Sequence, residues 1–260
     1  MKTYAFVFKN KIIFSKAIEN QNFILKCVPM NYSAQRIFDE EVLISPSCKV
    51  TSSEDSFGNY TRAGFIKCPH KEFEYNVCGK ALLGTYMEVT PLERLFLFES
   101  QMTKPSDEIK AFAKTIPLGE TVHETALNAA HAVYEKMSYV PFSTNVETTA
   151  AEAFSLGKGV CQDYSHITIA VLRQLGIAAR YAAGLMEGEG ETHAWVDYYA
   201  DNAWYGVDPT NDKKIDYGYI KISHGRDSKD CEIEKGVFTC AEGIVDQKFE
   251  ISVKVVNEDD

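Results

Sequence analysis

The stretch GKGVCQDYSHITIAVLRQLG, Gly157 to Gly176, sets one cysteine between a glycine-rich turn and a helical pattern. Cys161 then occupies the first helical turn, where unsatisfied N–H groups and the positive end of the dipole favour thiolate, the reactive form of the side chain. A thiolate that runs acyl transfer also needs a base, and the base needs a group to orient it. HAWVDYYADNAWYGVD, His193 to Asp208, supplies both types of residue in what reads as an antiparallel pair. A loop of even length centred between Ala200 and Asp201 sets Tyr198 against Ala203, Val196 against Tyr205 and His193 against Asp208. Opposed residues share a face at about 4.5–5.5 Å between Cβ atoms, within reach of an imidazole–carboxylate hydrogen bond. An odd loop would send the two side chains to opposite faces. On this register Trp195 and Asp197 share the face of Trp204 and Gly206, and the small Gly206 leaves room beside the histidine.

Each of these residues has an ordinary reading when taken alone. Free cysteine is commonly a small buried hydrophobe, and an aspartate before proline commonly ends a strand. The signal lies in the combination: a glycine-preceded cysteine at a helix start, together with a histidine and an aspartate that strand register can oppose.

The elements that must position them are legible. Val160, Tyr164, Ile167, Val171 and Leu175 predict a helix with one apolar stripe, closed by Gly176. Upstream, Ser106 or Asp107 can cap a short helix, and Thr121 with Glu124 forms a capping box before the stripe Val122, Ala126, Ala129, Val133, Met137. Thr149 with Glu152 repeats the box before a helix that Gly157 can end. Downstream come strand patterns over Ala179–Met186 and the two arms of the His193 pair. Before about residue 100 the period is that of strands, with Phe23, Leu25 and Cys27 alternating against Ile24 and Lys26, and turn formers at 52–59 and 67–72. The reading is an α+β protein, with a β-sandwich-like domain over residues 1–103 and a catalytic core over 104–260.

Composition narrows the function. The net charge of −10, from 27 basic and 37 acidic residues, and the lack of a Lys/Arg cluster argue against nucleic acid and anionic membrane as partners. Lys9 and Lys11 interrupt the first apolar run before a signal-peptide core or membrane span could form, so a cytoplasmic protein is expected. Seven cysteines cannot all pair within the chain, and none has zinc-ligand spacing. No metal or other cofactor is expected. Glu187, Glu189 and Glu191 lack the oxygen supply of a calcium loop and read as a mobile, glycine-hinged lid that favours cationic substrates. Asp163 reads as complementing the helix N-terminus, Trp195 and Trp204 as packing residues, and Arg226 with Asp227 as a structural pair.

The motifs GKGVCQDYSH, LRQLGIAARY, THAWV and WYGVDPTN resemble the transglutaminase-like superfamily, in particular its bacterial cysteine peptidase branch. NVETTAAEAFSLGKGVCQD and HGRDSKDCEIEKGVF extend the likeness over about Tyr134 to Phe238. The resemblance implies a papain-like core, with a cysteine-bearing helix packed on an antiparallel sheet. It makes Cys161 the nucleophile, His193 the base and Asp208 the orienting acid. The implied activity is hydrolysis of an amide in a peptide or protein substrate through a thioester acyl-enzyme. Transglutaminase-type transfer to an amine is the alternative, and a non-enzymatic binding module on the same fold is the rival of another class. The Cys161 N–H is the expected oxyanion donor, with Tyr139 and Gln162 as candidates for the second.

Overall fold

A computed structural model describes residues 1–259. Five strands come first: β1 (Lys2–Leu25), β2 (Gln35–Ser45), β3 (Val50–Glu54), β4 (Tyr60–Ile66) and β5 (His70–Leu83). Alternation along β1 buries Tyr4, Phe6, Phe8, Ile12 and Phe14 on one face. The first half of β1 pairs with β5, and after a register shift between Ile13 and Ile18 its second half pairs with β4. The irregularity bends the strand, so one sheet folds over itself. The two layers close on aromatic rings, with Phe23 4.9 Å from Phe73, and within one layer Phe8 lies 5.8 Å from Tyr75. The sandwich-like form expected from the sequence is therefore present, with β1 common to both layers.

Helices α1 (Asp107–Ala113) and α2 (Val122–Lys136), strand β6 (Ser138–Tyr139), helix α3 (Ala150–Leu156), strand β7 (Lys158–Gly159) and helix α4 (Cys161–Gln174) follow. Ser106 caps α1, Thr121 caps α2, and Thr149 with Glu152 forms the full capping box of α3. At α2 the Glu124 carboxylate accepts instead from the N–H of Glu120, so only half of the predicted box forms there. Next come β8 (Ala179–Met186), β9 (Gly188–Gly190), β10 (His193–Ala200), β11 (Ala203–Asp208), β12 (Lys213–Lys214) and β13 (Tyr219–Gly225). All but β9 form a five-stranded antiparallel sheet in the order β12-β11-β10-β8-β13, and α4 packs on β10 and β8.

Two expectations are corrected. Helix α4 does not present a single apolar stripe: every residue from Asp163 to Arg173 is buried, because α1, α2 and α3 pack around it while the sheet covers another side. Its polar residues must then find internal partners, and Arg173 donates to the carbonyls of Phe96, Ala179 and Arg226 and to the Thr103 hydroxyl. Second, residues 104–260 do not all belong to the core. The last strands, β14 (Glu234–Thr239) and β15 (Gln247–Asn257), return to the first sheet and pair with β1. Strand β15 runs along β1 from Tyr4 to Phe14, on the side away from β5, and covers backbone groups that would otherwise form an open edge.

Candidate active site

Cys161 is the first residue of α4, with Val160 as N-cap. The cap has no side-chain oxygen, so Asp163 provides the terminal bond: its Oδ2 accepts from the Val160 N–H at 2.8 Å and from the Thr144 hydroxyl at 2.7 Å. The role predicted for Asp163 is the one it holds. The N–H groups of Cys161 and Gln162 lie in the first turn, where no intrahelical acceptor exists.

His193 opens β10 and Asp208 closes β11. Between the strands Asp201 and Asn202 adopt φ of 47° and 63°, the left-handed pair that a two-residue type I′ turn requires. The turn therefore sits one residue further on than expected. It pairs Ala200 with Ala203 and Val196 with Val207, so the ladder is displaced by two residues from the predicted one. A shift of two preserves the face, because side chains alternate with period two. The His193 ring reaches Asp208 along the diagonal, with Nε2 2.8 Å from Oδ2. Cys161 lines the same cleft as His193, close enough for its hydrogen-bonding group and charge to act on the ring. The three residues predicted as a set meet at the head of α4.

Residues that the sequence reading did not single out hold the carboxylate. Asp208 Oδ2 also accepts from the Tyr219 hydroxyl at 2.5 Å and from Asn211 Nδ2 at 2.7 Å, and Oδ1 accepts from the N–H of Thr210 and Asn211. Burial alone would raise the acid, but the His193, Tyr219 and Asn211 bonds and the His193 charge hold it at about 2. Burial would likewise discharge His193, and the bonds and charges of Asp208 and Cys161 outweigh it, raising the imidazole to about 9. The ring is thus held as imidazolium at neutral pH. His166, the other histidine near Cys161 in sequence, is fully buried, accepts the Ser228 N–H at 3.1 Å and is lowered to about 4, chiefly by burial.

A second, hidden polar cluster lies under the sheet. Gly206 makes room for the Tyr86 ring and Ile215, where a Cβ would sit 2.8 Å from Tyr86, and not for the histidine as expected. The Tyr86 hydroxyl donates to Asp197 at 2.8 Å and accepts from Trp195 Nε1 at 2.8 Å. Trp195 stacks beside His193 with ring centroids 6.4 Å apart. Arg180 and Lys221 both bind Glu88 and Asp197, at 2.5 Å to Glu88 in each case. Tyr86 and Glu88 come from the link after β5, so this cluster ties the N-terminal segment to the sheet that carries His193. Trp195 and Trp204 are fully buried and serve as packing residues, as predicted.

The cleft above Cys161 has a volume of about 550 Å³. Its lining includes Tyr139, Phe142 and Val146 from the segment between β6 and α3, and Glu187, Glu191 and His193 from the stretch that leads from β8 into β10. The EGEGET segment is not a free lid. Gly188–Gly190 pairs with β15, and Glu189 binds Lys254 at 2.7 Å. Tyr139 and Gln162 both border the cleft, and burial, then the nearby Cys161 and Glu191, push the Tyr139 hydroxyl above the ordinary phenol range. Arg226 pairs with Asp230 and not with Asp227, which accepts instead from the Met102 and Lys229 N–H groups.

Residues 110–209, which include all three side chains, match the profile of the transglutaminase-like superfamily. Over this stretch the chain is similar to that superfamily. A crystal structure of a candidate cysteine protease from Cytophaga hutchinsonii shares the fold, with a TM-score of 0.81 and 22% identity over 100% of this chain and 92% of that one. An uncharacterised protein of Mycobacterium leprae is 26% identical over 82% of this chain and 85% of its own length. One from Mycobacterium tuberculosis is 33% identical over 51% of this chain, which spans about half (47%) of that relative. A transglutaminase-like core whose cleft is lined by Cys161 and His193, with the buried Asp208 bonded to the histidine ring, supports a cysteine-dependent enzyme.

Proposed function

We propose that this protein is a cysteine-dependent hydrolase of amide bonds in peptides or isopeptides. The observation that carries the reading is the His193 ring, which holds the buried Asp208 carboxylate at 2.8 Å and shares the cleft at the head of α4 with Cys161. In the first half-reaction Cys161 Sγ attacks the amide carbonyl. The C–N bond then breaks as imidazolium His193 gives its proton to the departing amine, leaving a thioester and a neutral imidazole. In the second, His193 takes a proton from water as its oxygen attacks the thioester. The C–S bond breaks, and the thiolate–imidazolium pair is restored with release of the acid. Asp208 keeps the ring oriented and stabilises its positive charge in both halves. The Cys161 N–H at the head of α4 faces the developing oxyanion, with Tyr139 and Gln162 as candidates for the second donor. The chemistry requires no cofactor. Seven free thiols support a reducing, cytoplasmic setting as part of this proposal.

The test is release of amine from a peptide library by the purified protein, with and without an added primary amine. Hydrolysis predicts release that does not depend on the added amine and is lost in Cys161→Ala. Incorporation of the added amine into the acyl product would make the protein a transamidase, and no Cys161-dependent product of either kind would sink the enzyme reading.

A further inference from the structure

Phe142 has an unusual position on the wall of the cleft. Its ring is entirely solvent-exposed (101% of the reference area) and its φ is 61°, in the left-handed region that a bulky L-residue adopts only under constraint. The constraint comes from the bonds on either side of it. Val140 N–H donates to Gly159, Ser143 donates from both N and Oγ to the Val140 carbonyl, and Thr144 Oγ1 donates to Asp163 at 2.7 Å. Asp163 is the residue that closes the first turn of the Cys161 helix. The loop therefore fixes an apolar ring in water and registers it against the nucleophile.

Phe142 also lines two neighbouring depressions, the catalytic cleft of about 550 Å³ and a groove of about 760 Å³ that includes Leu156. Exposed Val146 adds apolar surface to the cleft, and exposed Leu156 adds it to the groove. Glu187 and Glu191, both exposed, line the same cleft from a different segment of the chain. The occupant that suits this asymmetry is a polypeptide with an apolar side chain on one side of the reacting amide and a basic one on the other. An anionic lipid surface fits neither the acidic wall nor the net charge of −10.

We propose that Phe142 is a specificity-determining residue, receiving a bulky apolar side chain of a polypeptide substrate next to the amide presented to Cys161, while Glu187 and Glu191 select for a basic neighbour. The position of the amide rests on the hydrolase reading above.

Binding to the full-length Cys161→Ala protein tests the proposal without turnover. Labelled peptides of Ala-Gly background carrying a single Phe, Leu, Arg or Asp are compared by fluorescence anisotropy. The Phe and Leu peptides should bind about tenfold more tightly than the background, the gain from covering part of one apolar side chain. Adding Phe142→Ala should abolish that margin, while Phe142→Leu retains most of it. Arg should tighten binding and Asp weaken it, with both effects fading as salt is raised. No peptide binding, or a Phe preference that survives Phe142→Ala, overturns the proposal. The two readings fail separately: Cys161-dependent turnover without the preference removes the role of Phe142 alone, and the preference without turnover removes the hydrolase alone.

Discussion

Replacing Asp208 with Asn changes one atom of the side chain and removes the charge that holds His193 as imidazolium. In the native protein the ring is raised from 6.5 to about 9 against the opposing effect of burial, by bonds and charges of Asp208 and Cys161. The whole elevation corresponds to about 3 kcal/mol. Asp208 supplies a large share, so the proton transfer from Cys161 Sγ to the imidazole should weaken by about 10- to 100-fold in the variant. The Asn amide would also face the donors of Tyr219 and Asn211, which now share Oδ2 with His193, so it gives no equivalent orientation. The assay is the second-order rate of iodoacetamide alkylation at Cys161, followed by peptide mass spectrometry as pH is varied. The native protein should show rapid alkylation at neutral pH. Asp208→Asn should lose at least about tenfold there. A far-UV spectrum and melting temperature establish that the variant is folded. Unchanged alkylation at neutral pH in a folded variant would refute the idea that Asp208 acts on the sulfur through His193.

Glu88→Ala should destabilise the protein by about 3–5 kcal/mol in chemical denaturation, because it leaves the buried cations Arg180 and Lys221 with Asp197 as their remaining carboxylate. A loss below about 1 kcal/mol would mean that water reaches and solvates the cluster. The triad should also shape stability against pH. His193, raised from 6.5 to about 9, contributes fully below 6.5 and loses its contribution as pH climbs through 9. Asp208, lowered from 3.8 to about 2, contributes above 3.8 and loses its contribution as pH falls through 2. The stability gap between the native protein and His193→Gln should therefore be widest between about pH 4 and 6.5 and shrink by pH 10. A gap that does not vary with pH would contradict the coupling.

Some of this arrangement is local and can be read along the chain. Cys161 lies at a helix start because a glycine-rich turn precedes an apolar period, and the Thr149–Glu152 box and the left-handed Gly157 set the approach to it. The shared face of His193 and Asp208 follows from alternation, and it survived a turn placed one residue away from the expected position. The turn was misplaced because Asp201-Asn202 lacks the glycine that usually marks a type I′ turn, although both residue types tolerate positive φ.

Other features depend on residues far apart in sequence, and no short window contains them. Tyr219 and Asn211 secure Asp208, and Tyr86 and Glu88 reach the sheet from the link after β5. Strand β15 closes an edge opened by β1, although the two are separated by most of the chain. Whether α4 keeps one solvated face or is buried all round is decided by what packs on it. The sequence by itself determined which elements form and which groups could react, because capping, turn conformation and side-chain periodicity act over a few residues. Tertiary structure decided the charge on His193, the ordering of the glutamate segment by β15 and the exposure of Phe142, because desolvation, distant hydrogen bonds and surface coverage exist only once the chain has closed on itself.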